Sequence, residues 1–251
     1  MRQLKLTIAY DGTRFVGWQR QAEGESIQGL LEQVLARFEG APVTVHGAGR
    51  TDAGVHALGQ AASVSVAFDH DVRTLARALN AQLPEDVRVL DVSEAPPGFH
   101  ARFSATAKTY RYQIRAGVVA PPFDRAFVWQ LPEALDVGAM DRAARVLLGT
   151  HDFSAFQSAG SDTRDAVRTL TRSEVAPGDG GLVRYEVSGN GFLRHMVRAI
   201  VGTLVEVGRG RWSAADVAGI LAGADRGVAG ATAPAHGLVL VRVDYDQLLA
   251  D

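Results

Sequence analysis

The alternation of polar and apolar residues divides the chain into two runs of elements with the same order. LKLTIAY (4–10) alternates as a strand, and SIQGLLEQVLARF (26–38) places apolar residues at helical spacing behind Ser26 as N-cap. PVTVHG (42–47) and QAASVSVAF (60–68) read as strands, DVRTLARALNAQL (71–83) as a helix and VRVLDVSEA (87–95) as a strand. That order is β-α-β-β-α-β, the split βαβ pattern of ferredoxin-like units. In the second run KTYRYQIRAG (108–117) is a strand and DVGAMDRAARVLLG (136–149) a helix, followed by a hairpin of VRTLTRSEVA (167–176) and GLVRYEVSG (181–189) turned at PGDGG. FLRHMVRAIVGTLVEVG (192–208) then predicts one long helix and GLVLVRVDY (237–245) a last strand. The Pro/Gly-marked stretch APPGFHARFSAT joins the runs. The pattern predicts an α+β fold of two ferredoxin-like halves, residues 1–105 and 106–251, whose mainly antiparallel sheets join around a central cleft.

Composition narrows the chemistry. With 251 residues, 47% of them hydrophobic, the chain is long enough for a large core. No window approaches the run of about 18 apolar residues that a membrane span needs, and the strand-like start does not resemble a signal peptide, so a cytoplasmic protein is expected. The absence of cysteine excludes disulfides, thiolate nucleophiles and cysteine-based metal sites. The seven histidines show no H-x-x-x-H pair, so no metal is expected. Net charge is −2, yet the bases are 24 Arg and only two Lys, Lys5 and Lys108. That bias suits bidentate phosphate recognition, and equally GC-rich coding. Basic islands lie at His100–Arg125 and Arg194–Arg211. They fit nucleic-acid contact along a cleft, or merely solvated arginines on element faces.

GAGRTDAGVHALGQ, residues 47–60, asks for more than a turn. Position 52 is Asp where a dinucleotide fingerprint needs its third Gly, and Val55-His56 replace the Lys-Ser/Thr of a P-loop. TDAG has no second copy, so the paired carboxylates of an aspartic protease are absent. What remains is one carboxylate on a Gly-rich connection between strands. Asp52 is either a turn cap or a covalent nucleophile kept ionised by a cation.

Six stretches decide between these: YDGTRFVGWQRQ (10–21), GAGRTDAGVHALGQ (47–60), FHARFSATAKTYRY (99–112), LLGTHDFSAF (147–156), NGFLRHMVRAIVGTLVEVGRG (190–210) and APAHGLVLVRVDY (233–245). Together, in this order and over nearly the whole chain, they closely resemble the tRNA pseudouridine synthase A family, of which GRTDAGVHA is among the more specific signatures. The resemblance implies isomerisation of uridine to pseudouridine in the anticodon stem-loop of tRNA, at positions thirty-eight to forty in the tRNA count. The uracil–ribose C–N bond breaks, the base turns, and a C–C bond forms at C5. There is no net redox change and no group leaves, so no cofactor is implied.

By resemblance Asp52 is the nucleophile, attacking either C1′ of the ribose or C6 of the ring. Arg50 matches the arginine that enters the stack to hold the flipped nucleotide out, with phosphate contact as its alternative role. Tyr110 matches the tyrosine that stacks on the uracil. Strand alternation puts Tyr112 on the same face, where a core role is preferred, and Arg111 on the other. Arg198 matches the arginine paired with the catalytic carboxylate, and Arg194, one turn earlier on the predicted helix, is read as a phosphate contact. Leu238 or Leu240 supplies the apolar wall against the base. Lys108 and Arg111 join Arg194 as candidate RNA contacts. The N-terminal half thus carries the Asp loop and the C-terminal half the Tyr, Arg and Leu. The family acts as a homodimer on tRNA, so a homodimer is expected here. QSAGSDTRDAVRT (157–169) matches the family poorly, and its RNA contacts are left open.

Overall fold

The computed structural model describes residues 1–158 and 165–246, so residues 159–164 of the poorly matching 157–169 stretch lie outside the described residues. The chain divides into two compact units: residues 1–108 together with the segment from Val239, and Thr109–Leu238. The α+β class expected from the sequence is what the structure shows. The final strand, however, belongs with the first unit, whereas the sequence division kept 106–251 together.

The first unit contains β1 (Arg2–Tyr10), α1 (Ile27–Glu39), β2 (His46–Gly47), β3 (His56–Val66), α2 (Val72–Gln82) and β4 (Val87–Glu94). Its sheet also takes β10 (Leu238–Tyr245), from Val239 onward, in the order β4-β1-β3-β10, with β2 also on β3. β1 runs antiparallel to both β3 and β4. The free edge of β3 is divided lengthwise. His46 and Gly47 pair antiparallel with Ser63 and Ala62 at one end, while Val239 and Leu240 pair parallel with His56 and Ala57 at the other. α1 forms where expected: the Ser26 hydroxyl accepts from the Gly29 N–H, and Ile27, Leu31, Val34 and Leu35 are buried at helical spacing. The Asn80 amide of α2 both donates to the Val89 carbonyl and accepts from the Val89 N–H, clasping β4.

β2 is shorter than the PVTVHG strand expected, for a definite reason. The Val45 N–H donates to Glu32 Oε1 and its carbonyl accepts from Gln28 Nε2, so α1 takes the groups a longer ladder would use.

The second unit contains β5 (Ala105–Ala116, from Thr109), β6 (Trp129–Leu131), α3 (Val137–Arg145), β7 (Gly149–Asp152), β8 (Val167–Pro177), β9 (Leu182–Gly189), α4 (Met196–Gly208) and α5 (Ala214–Gly223). Its strands run β5-β9-β8-β7, with β6 parallel to β5. The hairpin turned at 177–181 is present as predicted. β6, β7 and α5 extend the predicted set. α5 carries a full capping box, Ser213 with Asp216. α4 begins at Met196, four residues later than predicted, because its N-cap His195 sits at φ 60, the left-handed region that a right-handed helix cannot include. Leu193 and Arg194 therefore precede the helix, and Arg194 and Arg198 do not share a helical face. Among the described residues no helix is long and apolar enough to cross a membrane.

Candidate active site

Asp52 lies half-buried on the connection between β2 and β3, and the backbone on both sides of it is tied down. The Thr51 carbonyl accepts from the Trp18 N–H at 3.0 Å, and the Thr51 hydroxyl pairs with the Tyr10 hydroxyl at 2.9 Å in a buried setting. The Asp52 carbonyl accepts from Val55 N–H at 3.2 Å, closing a turn whose Gly54 stands at φ 76. Upstream, Ala48 N–H donates to the Ala61 carbonyl at 2.7 Å and the buried Gln60 Nε2 donates to the Gly49 carbonyl at 2.9 Å. Downstream, the buried His56 Nδ1 lies 3.0 Å from the Gly12 nitrogen and 3.1 Å from Asp11 Oδ1, which ties the start of β3 to the 10–18 segment.

The segment that does this clamping is itself fixed to α1. Ile27 and Gln28, whose N–H groups a helix start leaves without intrahelical partners, donate to the carbonyls of Gly17 and Trp18 at 3.2 and 3.0 Å. A Cβ on Gly17, at φ 106, would stand 2.5 Å from the Thr51 oxygen; one on Gly12 would stand 2.0 Å from the Val55 oxygen. The two glycines let one loop lie directly against the other. Burial pushes the Tyr10 phenol up to about 12, opposed by its bonds to Thr51 and Gln60, so at neutral pH it is an uncharged clamp. Sequence reasoning gave Tyr10, Gly12, Gly17 and Trp18 no role. Their signal was the YDG and GW of a quoted run whose purpose only the packing reveals.

The other predicted residues divide between the units. In the first, Arg50 is exposed two residues before Asp52, Lys108 is half-buried near the end of its segment, and Leu240 is fully buried opposite Ala57, on the strand beside the downstream end of the Asp52 connection. In the second, Tyr110 is buried with its ring edge-on to Phe192, centroids 5.0 Å apart. Tyr112 is core: its hydroxyl donates to the Pro234 carbonyl at 2.8 Å and burial pushes the phenol up. Arg198 is gripped by Ala233, donating from Nε to its carbonyl at 2.7 Å while the Ala233 N–H returns a bond to the Arg198 carbonyl at 3.1 Å. Arg194 is exposed and its carbonyl accepts from Ser158 N–H. Leu238 is buried just after the 234–237 turn that Tyr112 holds.

The basic islands are partly neutralised. Arg111 bonds Glu186 at 3.0 Å and Arg115 bonds Asp124 at 2.7 Å; Arg209 and Arg211 share Glu206. Among the described residues no group of three or more His, Asp or Glu is gathered to hold a metal ion. The chemistry on offer in the first unit is a half-buried carboxylate on a loop tied down by hydrogen bonds, with an exposed arginine two residues before it.

The family whose description reads tRNA pseudouridine synthase matches residues 6–104 and 143–246. The chain is 46% identical to tRNA pseudouridine synthase A of Geobacillus kaustophilus, over 98% of this chain and 95% of that protein. It is 47% identical to the protein of that name in Solidesulfovibrio magneticus, over 98% and 92% of the two, and 46% identical to that of Xanthobacter autotrophicus, over 98% and 100%. A solved Cbf5-Nop10-Gar1 complex is similar with a TM-score of 0.40 and 11% identity, over 98% of this chain and 50% of that one.

Proposed function

The chain belongs to the tRNA pseudouridine synthase family, and on that premise we propose that it isomerises uridine to pseudouridine at positions thirty-eight, thirty-nine and forty in the anticodon stem-loop of tRNA, with Asp52 as nucleophile. The observation that carries the nucleophile assignment is the anchoring of the backbone at Thr51 and Val55, which holds a half-buried carboxylate in one place. A carboxylate meant to bond to a substrate atom gains from such prior placement.

The reaction needs a flipped nucleotide, because neither C1′ nor C6 can be reached inside a stacked stem. Arg50 is exposed and planar, suited to fill the vacated space. Tyr110 stacks on the uracil, Arg198 keeps the carboxylate ionised, and Leu238 and Leu240 form the apolar wall. Lys108, Arg111 and Arg194 contact phosphate. The carboxylate either displaces uracil from C1′ or adds at C6. In both cases the base turns over, C5 bonds to C1′, the carboxylate leaves unchanged, C5 loses its proton and N1 gains one. Atoms and electrons balance within the nucleotide and solvent, so no cofactor takes part. A cytoplasmic homodimer fits this reading: with a net charge of −2 and islands partly paired to acids, two copies together offer a polyanion more basic surface than one.

The test is direct. An unmodified tRNA transcript is incubated with the protein, labelled with carbodiimide and read by reverse transcription. Stops in the 3′ arm of the anticodon stem with wild type, and none with Asp52→Asn, are expected. Equal stops with both proteins would remove Asp52 from the chemistry, and tRNA binding without stops would leave an RNA-binding protein rather than an enzyme.

A further inference from the structure

The connection between the two predicted halves carries a stacked set of rings that the reaction as described does not use. His46 and His100 lie with centroids 4.9 Å apart at 34°, and His100 and Phe103 4.4 Å apart at 36°. The ladder ends in solvent, with Phe103 77% exposed and the Arg102 guanidinium 5.7 Å from its ring centre.

An exposed phenylalanine alone needs no explanation. This one is held rigidly. His100 N–H donates to Ser104 Oγ, Ser104 N–H to the His100 carbonyl, and Arg102 N–H to His100 Nδ1, all within 3.1 Å. The turn is pinned to the sheet where Ala101 N–H donates to Ser63 Oγ at 3.0 Å and the Ala101 carbonyl accepts from the Tyr245 hydroxyl at 2.8 Å. Ser63 is the β3 residue paired with His46. Burial, then the neighbouring His46 and Arg102, hold His100 below the usual histidine range, so its ring meets Phe103 as a neutral aromatic.

We propose that Phe103, backed by His100 and His46, is a stacking platform for an unpaired base of the RNA substrate. Two of the three rings are imidazoles and the flank is an arginine, a surface that suits a nucleobase and its phosphate better than an apolar protein patch. His46 is also six residues from Asp52, about 20 Å at full extension, so platform and carboxylate sit within the span of one stem-loop. The inference rests on the tRNA reading above.

Steady-state kinetics on an unmodified tRNA transcript test it, comparing wild type, Phe103→Ala and Phe103→Trp. Phe103→Ala raises KM about tenfold with kcat within about twofold, a loss at the low end of the range for one stacked base. Phe103→Trp keeps the wild-type KM, and the fluorescence it adds to the three native tryptophans is quenched by transcript. The substituted ring is exposed, so both variants fold, which their Tm values check. An unchanged KM in Phe103→Ala, or an added tryptophan unquenched at saturating transcript, overturns the proposal. So does a changed oligomeric state of Phe103→Ala with unchanged KM, which assigns the ring to a protein contact. Inactive wild type would remove the functional reading and this inference together, whereas active wild type with an indifferent Phe103→Ala removes the inference alone.

Discussion

Gly17→Ala tests whether the 10–18 segment sets the position of Asp52. Gly17 is itself locked, since its carbonyl accepts from Ile27 N–H and Val16 N–H donates to the Glu25 carbonyl. Its Cβ would stand 2.5 Å from the Thr51 oxygen, 3.0 Å from the Asp52 carbonyl carbon and 3.1 Å from the Ala53 nitrogen, all backbone atoms. Restoring ordinary contact at 3.4 Å moves the Thr51–Asp52 backbone by about 0.9 Å. Gly40→Ala is the control: Gly40 also has positive φ, +71, but nothing lies within 4 Å of its added Cβ. A left-handed alanine costs about 1–2 kcal/mol, offset by about 0.4–1 kcal/mol from the stiffer unfolded chain, so Gly40→Ala destabilises by about 1 kcal/mol. Gly17→Ala carries that cost and an overpacking cost of about 1–3 kcal/mol. Urea midpoints at constant m should therefore separate the variants by about 2 kcal/mol. Single-turnover pseudouridine formation, measured where both are folded, should fall about 100-fold in Gly17→Ala only, the scale expected for a displacement of about 1 Å in a reacting group. Equal midpoints and equal rates would refute the claim that this segment positions Asp52.

Three further outcomes follow from named contacts. Tyr10→Phe leaves the Thr51 hydroxyl, in a residue 6% exposed, without its phenol and should cost about 1–3 kcal/mol in urea unfolding, while Tyr10→Phe with Thr51→Val should cost less than the sum of the single changes. Tyr10 titrates at about 12, and burial likewise raises Tyr112, Tyr185 and Tyr245. Because these folded values lie above the unfolded value of about 10, the stabilisation is complete below pH 10 and is lost as pH rises through about 12. Tyrosinate absorbance should accordingly report no more than one of the five tyrosines until circular dichroism shows unfolding; a larger rise in the folded protein would contradict this. Ala224→Gly replaces a non-glycine residue at φ 52 that caps α5, and should stabilise by about 0.5–1 kcal/mol, a Tm increase of about 2 °C in a scanning calorimeter.

Much of the fold was legible because it rests on local rules. Ser26 before the apolar periodicity of α1, Asp71 before α2 and the glycines of the 177–181 turn each write their element into adjacent residues. What was not legible depends on partners distant in sequence. The strand expected at 42–47 loses most of its length to Glu32 and Gln28 of α1, side chains that periodicity counts only as helix positions. The start of α4 was misplaced because His195 adopts a backbone conformation usually left to glycine, and no Gly or Pro announces the break. α5 could have been found: Ser213 and Asp216 have the spacing of a capping box. For the site, Asp52 stood out by excluding other glycine-rich motifs and by resemblance, whereas the residues that hold its loop did not. Tyr10, Gly12, Gly17 and Trp18 act through backbone groups and close approach, and such roles leave no chemical signature in a side chain.

Three glycines in the eight residues Gly47–Gly54 look like a flexible segment, yet Ala48, Gly49, Thr51, Asp52 and Val55 all have backbone groups bonded to partners in the same unit. The glycines serve proximity and turning, and rigidity comes from the hydrogen bonds that proximity permits. The chain of support runs from the first N–H groups of α1 through the carbonyls of Gly17 and Trp18 to the Thr51 carbonyl, so the placement of the Asp52 main chain is inherited from a helix. As the proposed nucleophile, a carboxylate carried in this way can bond to a substrate atom and release it without loosening the main chain that holds it. In the proposed isomerisation, where the base turns over while the nucleophile waits, a fixed main chain keeps the carboxylate within reach throughout.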